Sequence, residues 1–574
     1  MNTEELDVEN KEWQQALQII QYTRRSLFLT GKAGTGKSTF LRYVAQHTTK
    51  KYVILAPTGI AAINAGGQTL HSFFKLPFHP LLPNDTRYSV RNMRKTLKYS
   101  GETIKLIREL ELIIIDEISM VRADIIDFID RLLRIYCRNM REPFGGKQLL
   151  LVGDIFQLEP VVKEEEWQLM QPFYSSAYFF AAKIWQEMQL VSIELRKVYR
   201  QSDAKFISIL DRIRENAATG SDLKAINARV GKESHIKQNS FEITLATRRN
   251  TVDYINDQKL SELEGGTSMF MGTIKGEFPL TSLPAPMELE IKPGAQVIFV
   301  KNDKEKRWVN GTIGIVTGVD EEEGIIGVVD EDGYEHDVVR EVWENMRYTF
   351  DEKEQKIVEE QLGTFVQFPL RLAWAITVHK SQGLTFRRVK IDFSGGAFAG
   401  GQTYVALSRC SSLEGITLEE PIHQSDIFVR PEVVAFARRY NDGKLMRQAI
   451  FESKADKEYH DAVEAFDRQD FDSFLKNFFL AIHSRYDIEQ PVVQRYIRRK
   501  LGIITQQQQK IADLQKEISR REDLLKRLSV EYTLLGKECE KEQMTEAAIR
   551  NYEKALELCP DAPEPKRRLK KLRK

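Results

Sequence analysis

The chain has 574 residues, 42% apolar and 29% charged, so it is too long for one hydrophobic core and calls for roughly three to five domains. Its net charge of +1 excludes a protein that is basic throughout, so any contact with a polyanion must rest on local clusters. Four cysteines without metal-ligand spacing, an acidic start and no bilayer-length apolar run together predict a reduced, cytoplasmic protein without a membrane span.

Residues 5–22 predict a helix with Trp13, Ala16, Leu17, Ile19 and Ile20 on one face. Gln14 lies on that helix, and its amide suits either an adenine edge or solvent. Leu27–Leu29 reads as a buried strand that runs into a glycine loop and a helix. The pattern G-x-x-x-x-G-K-[ST] is met by Gly31, Gly36, Lys37 and Ser38. Glycines 31, 34 and 36 let backbone N–H groups close on a phosphate, and the following helix turns its positive end to the same place. Lys37 would reach the β- and γ-phosphates and Ser38 would ligate Mg²⁺, so Gly31, Gly34, Thr35, Gly36, Lys37, Ser38 and Thr39 form a candidate ATP–Mg²⁺ site.

Tyr52–Ala56 is a second buried strand, followed by Pro57, Thr58 and Gly59, small residues where open α/β sheets bind ligands. His71 suits a structural role or a nucleic-acid face, with Phe73 or Phe74 available for stacking. Arg87, Arg91, Arg94, Lys95 and Lys98 are either a solvated face or phosphate contacts. Leu112–Ile115 reads as a strand buried on both faces, and Asp116 and Glu117 at its end would be costly without a cation. Asp116 can hold Mg²⁺ and Glu117 can activate water. Helical spacing follows from Ile118 to Arg134. Leu149–Val152 is another such strand, and Gln157 beyond it can sense a γ-phosphate without competing for the metal. These strands, separated by helical segments, predict a RecA-like α/β core.

Val191–Leu195 leads to Arg200, where a second α/β unit would begin, and Leu245–Thr247 ends a further strand. Residues 291–345 carry short strands with Gly and Asp/Glu turns, which predict a small β-barrel. Leu372, Ala373, Ala375 and Ile376 have the spacing of a helical stripe, ending in His379, Lys380, Ser381, Gln382 and Gly383. Arg409 follows the apolar turn Tyr404–Leu407. Arg200 and Arg409 on a second lobe would act as arginine fingers, closing the lobes on ATP and releasing them after hydrolysis.

From Gln14 to Arg430 the chain resembles the superfamily 1B DNA helicases of the petite-integration-frequency (PIF) type, relatives of RecD. The resemblance rests on Gly31–Ser38, Ala56–Ala62, Asp116–Val121, Gly153–Leu158, Ile376–Thr385 and Ala406–Cys410, with Ser119–Arg134 matching a segment peculiar to that family. It implies two RecA-like lobes, 5′→3′ ATP-driven movement of a monomeric motor on single-stranded DNA, and unwinding of forked duplex. The implied boundaries are 1–193 for lobe 1A, with a wedge near 66–80, then 194–290 with 363–435 for lobe 2A, and 291–362 for an SH3-like insertion. By family role Gln14 reads adenine, and Lys37, Ser38, Asp116 and Glu117 handle phosphate, metal and water. Gln157, Arg200 and Arg409 sense the γ-phosphate. Gly383 lies at the nucleotide, and Thr58, Gly59, His71, His379, Lys380 and Ser381 lie near DNA. Glu159 departs from the family, which usually has proline there.

Residues 436–574 read as helical, with Gly536, Ala548, Tyr552, Ala555 and Pro560 at tetratricopeptide spacings. Ile511, Leu514, Ile518, Leu525, Leu528, Tyr532 and Leu535 keep heptad-like spacing, broken by Arg521, which suits a helical hairpin, a short coiled coil or an amphipathic helix. One repeat cannot bury its own face, so this region is a candidate site for a protein partner.

Overall fold

The computed structural model describes residues 10–573 except 189, 200–202, 233–240, 352, 353, 355, 395, 397 and 398. Six strands, β1 Leu27–Gly31, β2 Tyr52–Ala56, β3 Gln68–Thr69, β4 Leu112–Ile115, β5 Gln148–Val152 and β6 Val191–Leu195, form one parallel sheet in the order β3-β2-β4-β5-β1-β6. The apolar runs of β1, β4 and β5 are continuous because each of these strands feeds two cores. Phe28, Ile113, Ile115, Leu149 and Leu151 enter one, and Leu27, Leu29, Leu112, Ile114, Leu150 and Val152 the other. The helix Ala123–Tyr136 covers the first face with Ile126, Ile129, Leu132 and Leu133. The helix Lys11–Tyr22 covers the second with Trp13, Ala16, Ile19 and Ile20, and starts where the Asn10 side chain accepts from the Trp13 N–H at 3.1 Å.

The helical reading from Ile118 needs correction at its start. Ile118–Met120 is a 3₁₀ turn, and Arg122 is extended and tied through its guanidinium to Asp124, so the α-helix begins at Ala123. Within the residues expected to form a wedge, 66–80, Leu70, Phe73, Phe74 and Leu76 are buried in the core, while Phe78 stands out and stacks on His71.

The helix Ala204–Arg214 and β7 Glu242–Ala246 open a second lobe, whose remaining strands come only after an all-β excursion. That excursion comprises β8 Ser268–Met271, β9 Thr273–Gly276, β10 Glu288–Ile291, β11 Gln296–Phe299, β12 Ile313–Asp320, β13 Ile325–Asp330, β14 Glu335–Val338, β15 Glu341–Asp351, β16 Lys356–Gln367 and β17 Leu370–Leu372. Five of these make an antiparallel sheet, β14-β13-β12-β11-β17, over Val297, Phe299, Trp308, Val328 and Phe368. The hairpin β15–β16 runs to Gln367 and rests on the first lobe. There the Ile54 N–H donates to Tyr348 Oη at 3.2 Å, and Lys51 and Lys105 lie over the Phe350 ring.

β18 Ala375–Thr377, β19 Arg388–Asp392 and β20 Ile416–Leu418 then complete a parallel sheet in the order β18-β7-β19-β20. The helical stripe expected at 372–376 is therefore two short strands. β17 pairs with β11 in the all-β region and β18 with β7 in the second lobe, and those partners override the local spacing.

Helices follow from Pro431 onward. Two of them, Pro431–Ala437 and Gly443–Asp467, pack on the first lobe: Val433 joins one of its cores, and Met446 and Ala449 join the other. The chain divides into two compact units between Asn477 and Phe478. In the second unit the helices Pro491–Lys541, Thr545–Leu558 and Pro563–Leu572 succeed one another. Of the tetratricopeptide-spaced residues, Ala548, Tyr552 and Ala555 are buried, a Cβ on Gly536 would lie 2.6 Å from the Tyr552 ring, and Pro560 is exposed. No described helix is long and apolar enough to cross a membrane.

Candidate active site

The phosphate loop follows β1 directly. Gly36 sits at φ 85°, a left-handed turn that only glycine takes cheaply, and starts the helix Lys37–His47. Lys37 Nζ donates to the Gly31 and Lys32 carbonyls at 2.7 and 3.0 Å, held beside the loop it would serve. β4 delivers Asp116 and Glu117 to the same place. Glu117 takes φ 50°, ψ 43°, an uncommon conformation for a non-glycine residue, with its N–H donating to Asp116 Oδ1 at 2.9 Å. Burial pushes both carboxyls above the ordinary range. The charge of Asp116 raises Glu117 further, and Lys37 and Arg409 pull it back. A divalent cation would relieve that strain, with Ser38 and Asp116 as its protein ligands, and phosphate and water filling the other positions.

A cavity of about 880 Å³ joins these groups across the two lobes. The first lobe lines it with Gly34, Thr35, Gly36, Lys37, Ser38, Thr39, Asp116, Glu117 and Gln157, and the second with Gly383, Thr385 and Arg409. Arg409 is almost wholly buried and braced by carbonyls: Nε donates to Val405 O at 3.1 Å, and Nη1 to Ser381 O and Leu384 O at 3.3 Å each. Gln157 Nε2 donates to Asp154 Oδ2 at 3.4 Å, and Asp154 is in turn gripped by Arg214 of the second lobe at 3.0 Å. Other bridges join the lobes near the loop, Lys32 to Asp211 at 2.6 Å and the Ala33 N–H to Tyr404 Oη at 3.1 Å.

A PIF1-like helicase family model matches residues 5–221. The Campylobacter jejuni ATP-dependent DNA helicase Pif1 is 32% identical over 404 residues, spanning 67% of this chain and 87% of that protein. Zebrafish PIF1 is 32% identical over 451 residues, but this chain spans only 63% of its length. Among solved structures, Bacteroides sp. Pif1 in complex with ADP-AlF4 superposes with a TM-score of 0.69 at 39% identity, over 76% of this chain and 98% of that one. The same protein scores 0.67 unliganded and 0.55 bound to single-stranded DNA. The chain belongs to the PIF1-like helicase family.

The other residues assigned by resemblance to PIF-type helicases fare differently. Gln14 is exposed on its helix and does not line the cavity, where Asn10 and Trp13 stand instead. Arg200 lies outside the described residues. Thr58 caps the helix Gly59–Ala65 by accepting from the Ala61 N–H at 3.3 Å, and a Cβ on Gly59 would meet the Ser282 side chain at 2.5 Å. His71 is half-buried against Phe78, with ring centroids 5.0 Å apart, and burial lowers its pKa. His379 is also lowered by burial, while Lys380 is exposed. Ser381, expected near DNA, is fully buried: its hydroxyl donates to Val378 O at 2.7 Å and its carbonyl accepts from Arg409, so it helps position that arginine.

Sequence reasoning missed Tyr199 and Lys197, which line the cavity; the Tyr199 N–H donates to Gly34 O at 2.9 Å. An aromatic four residues after the strand Val191–Leu195 was the only signal. It also missed Arg249, exposed at the start of the helix Arg249–Glu262, whose charge reaches Lys380. Glu159, at the family's usual proline, accepts from Tyr178 Oη and Arg430 Nε at 3.1 Å each and from the Gly400 N–H at 3.3 Å. A proline side chain could make none of these contacts.

Proposed function

We propose that the chain is an ATP-dependent DNA helicase that moves 5′→3′ along single-stranded DNA as a monomeric motor and separates forked duplex. The observation that carries the reading is the shared cavity, where Lys37, Asp116 and Glu117 of one lobe face Arg409 of the other. Mg²⁺, when bound, would neutralise phosphate charge and polarise the γ-phosphoryl group. Lys37 would leave the Gly31 carbonyl to hold the β- and γ-phosphates. Glu117 would take a proton from water as the water oxygen attacks the γ-phosphorus and the bond to the β-phosphate oxygen breaks. Arg409 would stabilise the charge that develops, and Gln157 would report whether the γ-phosphate is present. Losing that phosphate removes the reason for the lobes to stay closed, which makes each turnover a step.

Thr58, Gly59, His71, His379 and Lys380 follow strands at the carboxyl ends of the two parallel sheets, where a DNA strand would run. The arrangement described is read as the DNA-free one, since the unliganded relative fits better than its single-stranded DNA complex.

Strand displacement on tailed duplexes tests the proposal. Duplexes with a 5′ tail should be unwound with ATP, those with a 3′ tail should not, and Lys37→Ala should abolish unwinding while retaining DNA binding. ATP hydrolysis stimulated by single-stranded DNA without any strand separation would make the chain a translocase instead, and unwinding from a 3′ tail would reverse the assigned direction.

A further inference from the structure

The helix Pro491–Lys541 has 51 residues, and its last third packs on the helix Thr545–Leu558 of its own unit. Ser529, Thr533 and Gly536 are buried there beside the helix Thr545–Leu558, and Ser529 Oγ donates to Ala555 O at 2.7 Å. Before that crossing the helix turns an apolar stripe outward. Ile511, Leu514, Ile518 and Leu525 are each 40–58% exposed. They fit one heptad frame. Ile504, Ile511, Ile518 and Leu525 share one core position, and Gln507, Leu514, Arg521 and Leu528 share the other.

We propose that this stripe is covered by the same segment of a second copy of the chain, running antiparallel, with Ile511 of each copy packed on Leu514 of the second copy. Charge selects both direction and register, while the apolar match is partial, because Ile518 of each copy lies on Gln507 of the second copy. In this register Lys510 of each copy faces Glu517 of the second copy, and the exposed Ile503 faces the exposed Leu524 of the second copy. A parallel pair would set Arg521 against Arg521 in the core and Glu517 against Glu522 at the flank. Sliding an antiparallel pair by one heptad brings Lys510 against Lys510, or Glu517 against Glu517. Arg521 is accommodated because its guanidinium already pairs with Glu517 of its own helix at 2.8 Å, which draws the charge off the seam and leaves the methylene stem across Ile504 of the second copy. The inference uses no residue of the nucleotide site, and the helix belongs to the second compact unit, so pairing would join two chains that each keep their own single-chain motor.

Sedimentation of the full chain over about 1–100 µM tests it. The expected result is a reversible shift from one chain mass to two. Ile511→Asp should hold the protein at one chain mass. Glu517→Lys and Lys510→Glu should each weaken association roughly tenfold, because two favourable pairs become repulsive at once. An equimolar mixture of Glu517→Lys and Lys510→Glu chains should recover it, since every facing pair is again opposite in charge. All three positions are exposed, and unchanged helical circular dichroism would certify the fold. A single mass at every concentration would overturn the proposal, as would an association indifferent to Ile511→Asp. Tighter association by Glu517→Lys alone would also overturn it, because only a parallel pair brings residue 517 against Glu522.

Discussion

Arg409 and Ser381 show how one sequence motif can mix two kinds of work. An arginine in the core is costly unless its donors are satisfied, and this one meets that cost with carbonyls from Val405, Ser381 and Leu384 that also aim it at the cavity. Removing the guanidinium should leave nucleotide affinity within a few-fold, because the phosphate loop is intact, but should lower turnover about 10³-fold or more. Steady-state hydrolysis and fluorescent-nucleotide titration of Arg409→Ala would separate the two effects; unchanged turnover would mean that the second lobe does not complete the site. Ser381→Ala should behave oppositely to an interface residue. Among the described residues its buried hydroxyl donates to the Val378 carbonyl alone, so affinity for single-stranded DNA should be unchanged and stability should fall by about 1 kcal/mol, read by DNA titration and thermal unfolding. The motif made Ser381 visible, but its direction depends on a turn that spacing does not encode.

At the scale of elements, the buried strands were legible because a parallel sheet covered on both faces needs unbroken apolar runs, and β1, β4 and β5 have them. The hairpin β15–β16 was not. Its burial alternates weakly, and Glu341, Glu344, Glu359 and Glu360 dilute any strand signal. The stripe at 372–376 misled because two three-residue strands around Trp374 imitate helical spacing. Lys50 ties two well-read elements by a contact no pattern announces. Its ammonium donates to Ile20 O and Thr23 O at 2.6 Å each, at the end of the first helix, and to Gln148 Oε1 of β5 at 2.7 Å. Burial lowers its pKa from 10.5 to about 8. Between those values the unfolded chain holds the proton that the folded chain has lost, so this group's contribution to stability rises with pH. The gain across the window is about 3 kcal/mol, from about 1.4 kcal/mol per unit. Lys50→Met should remove that slope, so the stability difference between parent and variant should widen in the parent's favour from pH 8 to 10.5. A flat difference in denaturant unfolding across that range would show that the ammonium is hydrated.

At the scale of the whole molecule, the motor extends past the last recognisable motif. The sequence loses its motor pattern near residue 435, which invites a cut at 440, yet the following residues finish the first lobe. The Phe436 ring stacks on Phe180 at 4.5 Å, and Asn441 exchanges hydrogen bonds with the edge strand β6, its N–H donating to Ser192 O at 2.9 Å and its Oδ1 accepting from the Glu194 N–H at 3.0 Å. Met446 and Ala449 fill the core beside Trp13 and Ile20, and Glu452 holds Arg25 with two bonds of 2.7 and 2.9 Å. These residues were hard to assign because an amphipathic helix looks alike whether it caps a motor or belongs to an appendage; only the partner face differs. A chain ending at residue 440 should therefore lose about 3–5 kcal/mol by exposing the Trp13 face, and with it soluble ATPase. A chain ending at Asp470, after the helix Gly443–Asp467, should keep the parent's melting temperature for the motor transition and its hydrolysis rate. Calorimetry and ATPase assays on both truncations decide the point: if the shorter chain were as stable and active as the longer, the helix from Gly443 would be a passenger, and the edge of β6 would need no cover.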